Sequence, residues 1–121
     1  MRELHVIVHE DAVKAYADMG AGVAQQVLDE IRQIKASKEY LELHHSRSPN
    51  NLHPDMPPAS EDLQVVVSGG YKGTCCTFQL FALREAGYKA RFHPTANCPG
   101  QGHAPSILLR DIDEKYPDFY D

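Results

Sequence analysis

Apolar positions recur along the chain with two different periods. Residues 4–8 (LHVIV) form a short β-branched run that predicts a buried strand. Glu10 and Asp11 follow, acids suited to the first turn of a helix. Apolar residues then return at Val13, Tyr16, Ala17, Gly20, Val23, Ala24, Val27, Leu28, Ile31 and Ile34, one face of a long amphipathic helix ending near Ala36. Gly20 and Gly22 weaken that helix by about 1 kcal/mol each relative to Ala and permit a kink. Residues 40–44 (YLELH) alternate and predict a second strand. Residues 46–60 are rich in Pro, Asn and Ser and predict a loop, long enough to suggest binding or mobility.

Residues 63–67 (LQVVV) are the clearest strand, closed by Ser68-Gly69-Gly70. A helix is expected from about Thr74 through Leu83, with Gly87 as its C′ residue. Residues 88–94 supply a fourth strand and residues 95–104 a loop. Pro105 suits the first turn of a last helix through Ile112. Strands joined through helices imply parallel pairing with right-handed crossovers. The expected fold is therefore one α/β domain over residues 1–121, a short parallel sheet of about four strands with helices on both faces. In such sheets ligands sit beyond the C-terminal ends of the strands. His9, His44, residues 68–74 and residues 93–98 all fall on that edge.

A length of 121 residues suits a single domain, and 42% hydrophobic residues suffice for one core. A net charge of -5 disfavours nucleic acid and anionic membrane surfaces as partners. The N-terminus lacks an apolar signal core, and no apolar run reaches the roughly 20 residues that span a bilayer. Three cysteines, two of them adjacent, argue against a disulfide framework. A cytoplasmic location is expected. Short outer strands need cover, so a homo-oligomer is expected too.

Residues 65–76 (VVVSGGYKGTCC) run from strand through a glycine-rich turn into a helix start. A cysteine there meets the positive end of the helix, which favours the thiolate, at once nucleophile and metal ligand. The competing reading makes Cys75 and Cys76 small buried hydrophobes. The spacing Gly69-(x)5-Cys75-(x)11-Gly87-Tyr88, with a strand following at once, resembles the cysteine segment of the isochorismatase-like cysteine hydrolases, which include nicotinamidases. The resemblance covers residues 63–97. It implies a small-molecule substrate and places the nucleophile at Cys75. Where that family has its catalytic aspartate this chain has His9, with Asp11 two residues on; where a catalytic lysine is expected, residues 46–60 offer Arg47 and no lysine.

On this reading Cys75 attacks an amide or related carbonyl, His9 or Asp11 takes the thiol proton, and amides of Gly73, Thr74 and Cys76 hold the oxyanion. The alternatives are a non-catalytic binding or assembly domain that has lost the triad, and a thiol-sensing protein. Nicotinamidases also place Asp-x-His at the end of the second strand as part of a metal site. Glu42-Leu43-His44 with His53 is similar, and residues 42 and 44 share a strand face. Such a set suits zinc or iron with an open position; the competing reading is a solvated His44-His45 pair. No motif fixes a cofactor. The zinc-deaminase pattern is missing, since no Cys-x-x-Cys or Pro-Cys occurs, and residues 69–74 lack the phosphate-loop spacing.

Overall fold

The computed structural model describes residues 1–99 and 117–120. The chain runs β1 (Arg2–Val8), α1 (Glu10–Asp18), α2 (Gly22–Ser37), β2 (Glu39–Leu43), β3 (Leu63–Gly70), a π-helical turn (Lys72–Cys76), α3 (Thr77–Glu85), β4 (Lys89–Cys98) and a 3-10 turn (Pro117–Tyr120). The four strands pair in parallel in the order β2-β1-β3-β4. Side chains alternate across the sheet. Leu4, Val6, Val8, Val65, Val67, Ala90 and Phe92 face one core with Leu80 and Leu83 of α3. Ile7 faces the other, with Val13 and Ala17 of α1 and Ala24, Val27, Ile31 and Ile34 of α2. Helices thus cover both faces, as the strand–helix alternation predicts. Each fully buried Val, Leu, Ile or Phe contributes about 1.5–3 kcal/mol over its exposed state.

Three boundaries differ from the periodicity. The long amphipathic helix is two helices: Met19 and Gly20 donate to the carbonyls of Tyr16 and Ala17, and Gly20 takes φ 92°, which ends α1 in a left-handed glycine. Both helices keep their apolar residues on one core, so periodicity alone could not show the break. β3 does not stop at Val67. It continues through Ser68, Gly69 and Gly70, because the two glycines pair with β1 and β4. β4 likewise runs past Pro94 to Cys98, across residues expected to be loop, after an irregularity in its pairing between Val67 and Gly69. The expected helix over residues 105–112 lies outside the described residues.

The loop between β2 and β3 is as long as expected and is tied down. The wholly buried Gln79 of α3 donates from Nε2 to the carbonyls of Pro49 (2.8 Å) and Asn51 (3.0 Å), and the Tyr88 hydroxyl donates to the Pro57 carbonyl. Leu52 and Met56 pack on the α3-side core, so this loop closes a flank of the sheet. Phe119 returns to the same core and meets Phe92 edge-on, with ring centres 5.5 Å apart.

Candidate functional site

The sheet register brings the candidate residues to one edge. Val8 pairs with Leu43 on one side and Gly69 on the other, and Gly70 pairs with Cys98. The ladder extends one step further, His9 N–H donating to the Leu43 carbonyl at 2.8 Å. His9, His44, Gly70 and Cys98 therefore end their strands in adjacent positions across the sheet, and the turn bearing Cys75 begins immediately beyond Gly70.

His9 is the hinge between β1 and α1. It adopts φ 48°, a left-handed conformation uncommon outside glycine, and its side chain is buried. Its Nε2 lies 3.1 Å from the Arg47 carbonyl oxygen. A carbonyl only accepts, so Nε2 carries the proton and Nδ1 of the neutral ring holds the lone pair. Arg47, the one cation in the interval where a lysine was sought, meets His9 through its backbone.

The turn before α3 is wider than an α-helical one. The Thr77 hydroxyl donates to the Lys72 carbonyl at 2.6 Å, and the amides of Thr74 and Cys76 both donate to the Tyr71 carbonyl at 3.1 Å. The Gly70–Tyr71 peptide is cis. The Tyr71 hydroxyl reaches across to the Ala12 carbonyl at 3.1 Å, fastening this turn to the start of α1. Cys75 is half-buried, whereas Cys76 and Cys98 are buried. Burial pushes the Cys76 thiol well up from its ordinary value, and the neighbouring Cys75 and Cys98 push the same way. Cys76 is thus the more deeply buried of the pair, and Cys75 packs against the edge of the same core. Of the amides of Gly73, Thr74 and Cys76 expected to hold an oxyanion, those of Thr74 and Cys76 are engaged by the Tyr71 carbonyl.

Of the two proton acceptors named from sequence, Asp11 is engaged: its carboxylate pairs with His45. No hydrogen bond joins His9 to Cys75 among the described residues. The metal set Glu42, His44 and His53 is dispersed. Glu42 pairs with Lys35, which also pairs with Glu10. The His53 ring takes the Asp55 amide at 3.0 Å. The described residues whose ligand atoms do converge are Asp11, His44 and His45, all within 4.8 Å of one another. The rings of His44 and His45 lie 4.4 Å apart, and His44 Nδ1 is 3.2 Å from the Ser46 hydroxyl. Two imidazoles and a carboxylate fit zinc or iron with open positions.

Sequence reasoning gave His45 no ligand role and passed over Tyr71 and Gln79. His45 pairs with an acid 34 positions earlier, Tyr71 sits in what read as a glycine turn, and Gln79 interrupts an apolar helix face. Only the last is a visible signal, a polar residue at a core position. Neither a family model, nor a curated protein, nor a solved structure matches this chain.

Proposed function

We propose that the protein is a small cysteine hydrolase that acts through Cys75 on an amide or related carbonyl of a small molecule. The observation behind this reading is the single row at the C-terminal edge of the sheet: a half-buried thiol on the turn after the central strand β3, and a buried histidine with its Nδ1 lone pair available at the end of the adjacent strand β1. In the proposed reaction the Cys75 sulfur bonds to the carbonyl carbon, the thiol proton passes to His9 Nδ1, and the leaving amine departs with that proton. Water then cleaves the thioester, giving the acid and restoring the thiol. In this reading the Gly73 amide, from the same turn as Cys75, holds the oxyanion. Contacts between thiol and base often close only when substrate is bound.

A second reading, a binding or assembly domain of the same fold, is favoured by one observation: Asp11 is tied to His45 and orients neither His9 nor Cys75. Fold alone does not choose between the two. Ammonia release from a panel of small primary amides, measured for the wild type and Cys75→Ser, separates them. Hydrolysis lost in the variant supports the enzyme. Hydrolysis unchanged in the variant, or iodoacetamide labelling of Cys75 no faster than that of the buried Cys76, removes it.

A further inference from the structure

β4 reaches the C-terminal edge of the sheet by way of an excursion. Phe92 pairs with Val67 and Asn97 with Gly69, so residues 93–96 lie opposite the single residue Ser68. Such an insertion leaves backbone groups of the longer strand without partners in the ladder. Beyond it Gly70 pairs with Cys98, and Ala96 and Cys98 are wholly buried in the core on the α1 and α2 side. Whatever folds the excursion therefore fixes how the end of β4 sits beside the glycines that lead to the Cys75 turn.

His93 folds it. Its Nδ1 accepts the amides of Thr95 (3.1 Å) and Ala96 (2.9 Å), and its carbonyl accepts Asn97 Nδ2 at 2.7 Å. Pro94, between them, has no amide to place. The Thr95 hydroxyl donates to Glu30 of α2 at 2.7 Å, which ties the excursion to that helix. A ring nitrogen that accepts carries no hydrogen, so the ring is neutral with its hydrogen on Nε2. A proton added to this ring goes to Nδ1, the atom that holds both amides. In the imidazolium Nδ1 is a donor facing two donors, and both bonds are lost.

The groups around the ring are of both signs. His93 is half-buried and borders a cleft of about 450 Å³ together with Glu3, His5, Glu30, Lys38 and Arg91, so a proton can reach it from solvent. Burial pushes His93 below its ordinary value of 6.5; His5 and Arg91 push the same way, and Glu30 and Glu3 oppose them. The His5 ring of β1 has its centre 6.2 Å away and its Nε2 2.8 Å from Glu3. Arg91 Nη2 lies 3.7 Å from Glu3, and the exposed Lys38 follows the end of α2. With the folded value below the unfolded one, the contribution of the neutral ring is complete above 6.5 and is lost as pH falls through the folded value.

We propose that His93 is a pH-sensitive latch on β4: as the neutral imidazole it clasps the Thr95 and Ala96 amides and holds Asn97 and Cys98 on Gly69 and Gly70, and as the imidazolium it lets that strand end go. The latch is a property of the fold and does not depend on chemistry at Cys75. Its release loosens the sheet edge at which the Cys75 turn begins.

Amide exchange of the full chain, followed residue by residue by NMR and corrected for the intrinsic effect of pH, tests this beside the titration of the His93 ring. Protection of the Ala96 amide should fall about tenfold or more between about pH 8 and about pH 5, with the same midpoint as the ring, while Val6 and Val67 keep theirs. The Asn97 and Cys98 signals should shift with it. His93→Asn sets an amide oxygen near the place of Nδ1 and does not titrate, so Ala96 protection should persist across the same range. His93→Leu has no acceptor and should lose it at every pH; should that variant not fold, the wild type and His93→Asn decide the matter alone. Ala96 protection unchanged while His93 titrates, Asn97 and Cys98 signals that do not move with the ring, or the same fall in His93→Asn would overturn the proposal.

Discussion

The α-carbon of Gly69 lies directly against the backbone of Val8: a Cβ added there would stand 2.0 Å from the Val8 carbonyl oxygen and 2.8 Å from its nitrogen. Gly69 also takes φ 112°. This contact holds the ends of β1 and β3 together just before His9 and the turn to Cys75. Gly69→Ala must therefore strain its own backbone and push β1 aside. The expected loss of stability is about 3 kcal/mol or more, read by denaturant unfolding. Gly22→Ala, at a helical position with open space around it, should be neutral or stabilising.

Convergence of Asp11, His44 and His45 predicts a zinc response with a defined residue dependence. Metal that binds only the folded chain stabilises it by about 2.7 kcal/mol at 100 times its dissociation constant. A rise in Tm with added zinc should vanish in His45→Ala and persist in His53→Ala, whose ring is occupied by the Asp55 amide. The reverse pattern would restore the Glu42, His44 and His53 set. No rise in the wild type would leave the two histidines as a surface pair on Asp11.

Gln79 anchors the loop between β2 and β3 through two carbonyls at once. Gln79→Leu keeps an apolar core volume but leaves the Pro49 and Asn51 carbonyls without their donor. A loss of about 2 kcal/mol is expected, together with faster proteolytic cleavage within residues 46–60. Cleavage at the wild-type rate would mean that Leu52, Met56 and Tyr88 hold the loop without it.

The acid limb of stability is set partly by the Lys35 cluster. The hydrogen bond from Lys35 holds Glu42 below its usual value of 4.5, against some desolvation. The hydrogen bond from His5 similarly lowers Glu3. A carboxylate whose folded value is depressed contributes fully above its unfolded value, and that contribution is lost as pH falls through the folded value. Stability should therefore drop as pH falls below 4.5, and drop less steeply in Glu42→Gln. Glu42 is about half exposed, so solvent screens the pair and the difference should be small. An identical acid slope in the variant would show that Lys35 is held by Glu10 instead.

The order of elements and the parallel sheet follow from local pattern. Residues 6–8 and 65–67 are continuous β-branched runs, which suit strands buried on both faces, and the helical period between them forces a crossover. The edge that gathers His9, His44 and the Cys75 turn is legible for the same reason, since strand direction fixes which loops share an end. What pattern could not show is set by contacts distant in sequence. The break at Gly20 leaves the apolar stripe intact, and β3 and β4 lengthen because Gly69, Gly70, Asn97 and Cys98 find partners in each other. Which cysteine is left less buried depends on the widened turn closed by Thr77. The partner of Asp11 is His45, and His5 joins Arg91 and His93 around one cleft, only because the sheet order places β1 beside β2 on one side and β3, then β4, on the other. A one-dimensional period records which face a residue takes; the neighbours it meets there are decided by strand order and register.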